Sequence, residues 1–321
     1  MTVRLEPMAE HRFPAFAEQS RRGFAAQQVA AGAMPAAEAE AYAAEQLALL
    51  LPEGPATPGH HLWTVHVDGD AAEAGHLWLR VREQSTGTEA YLFDIELRPP
   101  YRGRGLGREV MRAAEDRARR LGATGMVLNV FGHNTAAMRL YDSLGFVVSS
   151  TMMTRRVDGA LPAYDGPAVT LEPMTWDEFD GYRAEAEADY AGNVAAAGLL
   201  PAEEARAKAT EDFARLLPDG LATVDHFFWT ARDGDRPVGL LWLHIAPRSD
   251  GLHAFGYDFS VREELRRHGY GRAMAHAAYD VCRQRGVVTV GLNVFGFNLG
   301  ARTLYDQLGF EVTAQQRKKA L

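Results

Sequence analysis

The sequence is short of several residues on which common chemistries depend. It has one cysteine, Cys282, in 321 residues. That excludes an intrachain disulfide framework and a cysteine-rich metal site, and no metal centre is expected. Cys282 falls in the helical run 274–285, where a packed, idle thiol is expected rather than a nucleophile. Lysine is nearly missing too, with only Lys208, Lys318 and Lys319 present. Positive charge is also in deficit, 34 basic residues against 42 acidic ones, for a net charge of −8. Divided after Tyr164, the halves hold 17 basic with 19 acidic and 17 basic with 23 acidic residues, so −2 and −6. Neither half is basic enough for a nucleic-acid partner. A mildly acidic surface favours a cationic acceptor. No apolar run approaches membrane-spanning length. The first residues lack a basic-then-apolar targeting pattern. A cytoplasmic protein with no membrane partner is expected.

What is present is one unit written twice. Val3-Arg4-Leu5-Glu6-Pro7-Met8 returns as Val169-Thr170-Leu171-Glu172-Pro173-Met174, and Gly75-His76-Leu77-Trp78-Leu79 as Gly239-Leu240-Leu241-Trp242-Leu243. Leu128-Asn129-Val130-Phe131-Gly132 returns as Leu292-Asn293-Val294-Phe295-Gly296. A period this long predicts two domains, residues 1–157 and 168–321. Residues 158–167 form a linker rich in glycine and proline. Within one unit a short strand at 2–6 is followed by helices near 9–31 and 35–50. Strands come near 62–68, 75–82 and 90–98, then a helix over 105–121 and a strand at 125–131. A short helix starts at Asn134, and a strand near 146–157 closes the unit. Pro35 suits a first helical position. Thr175-Trp176-Asp177-Glu178 predicts a capping box. Consecutive strands before the middle helix and alternation after it predict an α+β fold. Each domain would have a mixed, mostly antiparallel sheet, flanking helices and a central parallel βαβ crossover.

The chemistry centres on Tyr101-Arg102-Gly103-Arg104-Gly105-Leu106-Gly107. It sits between an alternating strand and an amphipathic helix. Glycines there permit positive φ, and the first-turn N–H groups with the helix dipole make an anion site. The stretch recurs as Leu265-Arg266-Arg267-His268-Gly269-Tyr270-Gly271. A dinucleotide-binding turn is the rival. No acidic residue ends the next strand to hold a ribose, and Asn129 and Asn293 lie in that strand instead. A ligand-free strand–helix junction would explain one such turn. It would not explain a companion motif that also recurs, Asn134-x-x-Ala137-x-x-Leu140-Tyr141-x-x-x-Gly145-Phe146 and its copy from Asn298 to Phe310.

Together, the Arg-x-x-Gly-x-Gly turn and the Asn-to-Tyr segment resemble the GNAT superfamily of acetyl-CoA-dependent N-acetyltransferases, over almost the whole of each half. The resemblance implies that the turn's backbone holds the pyrophosphate of coenzyme A. These residues are Arg102, Gly103, Arg104, Gly105, Leu106, Gly107 and Arg108, with Arg266, Arg267, His268, Gly269, Tyr270, Gly271 and Arg272 in the second half. It implies that the preceding strand splays from its parallel neighbour. Pantetheine would then bond to the backbone of Ile95, Glu96 and Leu97, and of Phe259, Ser260 and Val261. Asn134 and Asn298 match the cofactor-contacting asparagine, and Tyr141 and Tyr305 the general acid that reprotonates the thiolate.

The base is less determined. The strand position where several family members carry an acid holds Asn129 and Asn293. Asp94, Glu96 and Asp258 remain as candidates, with ordinary solvent-facing polarity as the alternative for Asp94 and Glu96. Ser260 stands where Glu96 would be, and a water-mediated or base-free mechanism is also open. Adjacent His60 and His61 suggest a solvated turn. The resemblance implies an acetyl-CoA-dependent transfer to a primary amine, of a small molecule, by direct attack on the thioester. It allows that one half alone is catalytic, as in many tandem members. A mycothiol-synthase-like enzyme is a within-class alternative, resting on tandem architecture, length and an arginine- and alanine-rich composition typical of GC-rich bacteria. An acyl-CoA-binding regulatory or scaffolding protein is the alternative outside catalysis. An internal pair can mimic a dimer, so a monomer is expected.

Overall fold

The protein is described by a computed structural model covering residues 2–84 and 87–321. β1 (Val3–Pro7) leads into α1 (Phe13–Ala30) and α2 (Ala36–Leu50), then β2 (His60–Val67), β3 (Glu73–Gln84) and β4 (Gly87–Leu97). α3 (Leu106–Arg120), β5 (Ala123–Phe131), α4 (Thr135–Ser143) and β6 (Val147–Arg156) follow. The order repeats as β7 (Thr170–Pro173), α5 (Trp176–Ala196), α6 (Ala202–Leu216), β8 (His226–Asp233), β9 (Arg236–Arg248) and β10 (Gly251–Val261). It ends with α7 (Tyr270–Gln284), β11 (Val287–Phe295), α8 (Leu299–Gln307) and β12 (Glu311–Ala320). The fold is α+β, as the alternation of patterns predicts. The predicted capping box opens α5, with Glu178 N–H donating to Thr175 Oγ1 at 3.3 Å and Thr175 N–H to Glu178 Oε2 at 2.9 Å. Pro35 sits one residue earlier than expected, at the cap rather than inside α2. No helix among the described residues is long and apolar enough to cross a membrane.

The chain divides into two compact units, one of Met1–Val148 with Ala314–Leu321, the other of Ser149–Thr313. The first has strand order β1-β2-β3-β4-β5-β12, with only β4 and β5 parallel. The second has order β6-β11-β10-β9-β8-β7, with only β10 and β11 parallel. The sequence repeat and the compact unit therefore differ. The strand expected to close the first repeat pairs with β11, and the last strand of the chain pairs with β5.

Side chains on these strands suit the sheets they join. In the first unit Arg317 of β12 is 3% exposed, donates to Gln315 Oε1 and the Met138 carbonyl, and pairs with Asp142 of α4. Lys319 of β12 reaches the buried Glu115 of α3 at 2.7 Å. In the second unit Met153 of β6 is fully buried among Leu292, Val294, Tyr305 and Leu308. Each unit packs one face of its central helix on the sheet. In α3 that face is Leu106, Val110, Met111, Ala114 and Ala118, at helical spacing.

Glycine is required where β3 crosses the end of β4. A Cβ on Gly75 would lie 1.9 Å from the Glu96 carbonyl oxygen, and one on Gly239 would lie 2.4 Å from that of Ser260. The repeated glycine thus lets each sheet fold closely over the strand that carries the candidate site.

Candidate active site

Each unit places its glycine turn between the end of a strand and the start of a helix. In the first unit Gly103 and Gly105 have φ of 72° and 79°, and Gly105 is the residue before α3. A Cβ added at either would meet no protein atom within 4 Å. The turn is therefore open on the side a ligand would approach. The first-turn N–H groups of an α-helix have no partner within it, so the helix start supplies donors and positive potential there. In the second unit Gly269 has φ of 89°, but Arg267 stands where Gly103 was and carries φ of 68°. An L-residue held there costs about 1 kcal/mol.

Arginines fix both turns. Arg102 Nε donates to the Leu97 carbonyl at 2.6 Å, and Arg266 Nε to that of Val261 at 3.2 Å. Arg108 donates to Ser143 Oγ at 2.7 Å, and Arg272 to Gln307, so each staples its helix to the one that carries the motif tyrosine. Arg104 donates to the Pro100 carbonyl at 3.3 Å, and the His268 ring meets the Arg266 carbonyl at 2.8 Å. A tyrosine hydroxyl ties each turn to the preceding hairpin loop, Tyr101 to Asp70 at 2.6 Å and Tyr270 to Asp233 at 2.7 Å. The tyrosine has moved across the turn between the copies, and its partner is the second aspartate of Asp68-Gly69-Asp70 in one and the first of Asp233-Gly234-Asp235 in the other.

The expected splay is present in both units. β4 pairs with β5 from Thr88 to Leu92 and then departs, leaving Ile95, Glu96 and Leu97 unpaired on that side. β10 pairs with β11 from Leu252 to Gly256, leaving Phe259, Ser260 and Val261. The departure begins at a bulge, with Phe93 and Tyr257 as the extra residues. Unpaired backbone groups in a cleft are what an extended amide-bearing chain would hydrogen-bond. Asn134 and Asn298 cap α4 and α8, each oxygen accepting from a backbone N–H (Ala137, Ala301) at 3.1 Å. Their amide nitrogens are what remains to offer a ligand.

The carboxylates differ between the units. In the first, Asp94 accepts from Ser20 Oγ at 2.8 Å and from His76 Nε2 at 3.1 Å. Burial pulls the His76 imidazolium down, but the bond to Asp94 and the charges of Asp94, Glu96 and Glu73 outweigh it and raise its pKa. Glu96 accepts from Gln19 at 2.9 Å and Arg102 at 3.0 Å, so it steadies the turn. Tyr141 is buried against Phe146, and burial, with the charge of Asp94, pushes its hydroxyl up to about 12.

The second unit has no such basic partner, since Leu240 replaces His76 and Ala186 replaces Ser20 in the repeat. Burial raises Asp258 to about 6, and the charge of Asp189 adds to the rise. The Tyr182 hydroxyl and the Phe259 N–H oppose it. Asp258 and Tyr305 line one groove of about 1110 Å³, together with Phe259, Ser260, Val261 and Arg266. Tyr305 packs against Phe259 and Phe310, and burial raises its hydroxyl far above the ordinary phenol value.

The sequence reading misses several residues at these sites. His60 and His61 lie in β2, not in a solvated turn. His60 Nδ1 accepts from Trp78 Nε1 at 2.9 Å, and His226 Nδ1 from Trp242 at 2.8 Å. Burial draws both His60 and His226 down to about 4, so each is a neutral acceptor at physiological pH. The repeated His…Trp pair is visible in the sequence, but the bond is not. The linker is also more than a spacer. Tyr164 donates its hydroxyl to the Gly269 carbonyl at 3.0 Å and stacks on His276. Cys282 is buried and pushed up to about 12, consistent with an idle thiol.

Comparison with known proteins agrees with this geometry. A model of the acetyltransferase (GNAT) family matches residues 30–146 and again residues 195–310. The N-acetyltransferase YycN of Bacillus subtilis is 31% identical over 157 residues, 49% of this chain and 100% of that protein. A mycothiol acetyltransferase of Thermobispora bispora is 31% identical over 248 residues, 76% of this chain and 78% of that protein. A solved GCN5-related N-acetyltransferase from Sphaerobacter thermophilus shares the fold. Its TM-score is 0.52 at 21% identity, covering 99% of this chain and 95% of that one. With both halves matched by the same family model, and with turn, splay and capped helix in each, the chain belongs to the GNAT acetyltransferase family as a tandem member.

Proposed function

We propose that the protein transfers an acetyl group from acetyl-CoA to a primary amine of a small molecule, and that the second unit performs the reaction. Family members use acetyl-CoA, which supplies an activated acyl carbon as a thioester. The residues present suit it, with a left-handed turn at a helix start, open in the first unit and flanked by Tyr164 and Pro167 in the second, an unpaired strand edge and a capping asparagine. One observation carries the reading. A single groove of about 1110 Å³ is lined by Asp258, Tyr305, the unpaired strand 259–261 and Arg266 of the turn.

Asp258, raised to about 6, is ionised at neutral pH yet a stronger base than an ordinary carboxylate. It is suited to accept the proton of an attacking amine. Tyr305 remains a phenol at neutral pH and can donate its proton to the departing sulfur. Backbone N–H groups of the splayed strand would then stabilise negative charge on the thioester oxygen. The groove itself holds two reactants together, which supplies much of the rate. Asp94 is the corresponding group in the first unit, where its carboxylate is already engaged by His76 at 3.1 Å and Ser20 at 2.8 Å. That unit is therefore read as a cofactor-binding partner rather than the engine.

The test is acceptor-dependent thiol release from acetyl-CoA over a panel of amines. A mycothiol-type amine comes first, because of the relatives named for it. Tyr305→Phe and Asp258→Asn are each expected to lower kcat by about 100-fold or more, while Tyr141→Phe leaves it near wild type. Loss of turnover in Tyr141→Phe with retention in Tyr305→Phe would move the reaction to the first unit. Tight acetyl-CoA binding with no thiol release from any amine would instead favour a binding protein.

A further inference from the structure

We infer that Asp189 selects the acceptor, and that the groove of the second unit is built for a cationic primary amine with no carboxylate beside it, carried on a body with a flat apolar face. The inference rests on the acetyl-transfer reading of that groove and adds what the groove recognises. Asp189 lies on α5 and lines the groove. Among the described residues no ion pair or side-chain hydrogen bond engages its carboxylate, so its charge is available to a ligand. The other groove aspartate on these helices, Asp212, is already held by Lys208 at 2.8 Å, Arg215 at 3.2 Å and the Tyr190 hydroxyl at 3.2 Å.

A second observation points to a ligand between these groups. The Tyr182 hydroxyl, on a residue only 4% exposed, faces Asp258 closely enough that each shifts the other's proton affinity, but the two do not reach hydrogen-bond geometry. A hydroxyl buried in this way lacks a third atom, and a nitrogen seated by Asp258 would supply it. Asp189 is also close enough that its charge acts on Asp258. The flat face is met by Tyr257, the bulged residue, which is 40% exposed and stacks on Trp242 with ring centroids 4.6 Å apart. The first unit repeats the carboxylate, as Asp94, and the stacked bulge residue, as Phe93 on Trp78 at 4.7 Å, but Gly23 takes the place of Asp189 and Phe16 that of Tyr182.

The order of events follows from the charges. An amine arrives as an ammonium ion, and Asp189 holds the cation near the mouth of the groove. Its proton passes to Asp258, which becomes the neutral acid, and the freed lone pair attacks the thioester carbon; as the C–S bond breaks Tyr305 protonates the sulfur, and the second proton lost by the nitrogen restores the phenol. A carboxylate on the carbon that bears the nitrogen would face Asp189 and Asp258 together and be repelled. The site thus discriminates an amine from the matching α-amino acid by one group.

The experiment is calorimetric titration of the full chain, saturated with coenzyme A, with phenethylamine and separately with phenylalanine. Phenethylamine should bind at least about tenfold more tightly than phenylalanine. Asp189→Asn should lose about tenfold in amine affinity and narrow the gap, as expected for losing one charge-assisted contact, and Asp189→Glu should recover most of it. Equal binding of the two ligands, undiminished amine affinity in Asp189→Asn, or no amine binding would overturn the inference. Selective amine binding without thiol release would uphold it and count against acetyl transfer. Thiol release that favours α-amino acids would do the reverse.

Discussion

Replacing Asp258 by asparagine should stabilise the second unit at neutral pH while stopping acetyl transfer. The carboxyl is largely enclosed in the wall of the groove, and its pKa moves from an ordinary 3.8 to about 6 in the fold. The folded chain therefore holds a proton that the unfolded chain has released between these two values. Stability linked to this group is fully present below pH 3.8 and is lost as pH rises through about 6. At about 1.4 kcal/mol for each tenfold in proton affinity, the loss comes to about 3 kcal/mol. About 2 kcal/mol of it falls between pH 4 and pH 7.5. Asparagine has no charge to bury. Its oxygen can still accept from the Phe259 N–H, and its nitrogen can donate to the Tyr182 hydroxyl. Scanning calorimetry of both proteins at pH 4 and pH 7.5 reads the effect directly. The advantage of the variant should grow by about 2 kcal/mol toward neutral pH. Curves that stay parallel across this range would refute the buried-base argument, whatever the activity shows. A variant both more stable and inactive would mark Asp258 as a group kept for function at a cost in stability.

Two further outcomes follow from packing. Gly239→Ala should destabilise the second unit by several kcal/mol, since its Cβ would lie 2.4 Å from the Ser260 oxygen and 2.5 Å from Met274 Sδ. Gly125→Ala, whose nearest atom is 3.7 Å away, should be tolerated, so comparable thermal melts for the two would reject the close-approach reading. Ending the chain after Thr313 should expose the first unit and not the second, because residues 314–321 belong to the former. Limited proteolysis should then cut within residues 1–148 and spare 149–313. The opposite pattern would mean that the last strand serves the repeat it follows.

Much of this was legible because each local signal came twice. A glycine turn between a period-two strand and a period-3.6 helix forecasts the anion site from backbone geometry alone. The splay follows from the family resemblance and appears in the pairing of both units. Side-chain partnerships were less readable. Nothing in the spacing of Asp94 and His76 shows that they meet, because they lie on neighbouring strands whose register is shifted by the bulge. The corresponding bulge of β10 brings Tyr257 forward beside Trp242, where strict alternation would not place it. Tyr164 escaped notice because a Gly- and Pro-rich linker carries no periodicity, although its hydroxyl holds the second turn.

The choice of partner strand was hidden for a different reason. β6 and β12 have the same length and the same alternation, so either could close either sheet by backbone criteria. Their inward residues decide the matter. Met153 and Arg317 occupy the same position in the repeat, as do Met138 with Arg302 and Asp142 with Asp306. In the first unit Arg317 comes from the strand and pairs with Asp142, beside Met138. In the second, Arg302 comes from the helix and pairs with Asp306 at 3.0 Å, while the strand supplies Met153. Each aspartate thus has one arginine. Had each repeat kept its own last strand, one unit would hold two methionines and an unpaired aspartate. The other would hold two arginines around a single aspartate, with one guanidinium buried. An uncompensated buried charge costs about 3–5 kcal/mol, far more than two equivalent backbone ladders can differ by. The relocation of one arginine from strand to helix between the repeats is therefore enough to specify which strand closes which sheet.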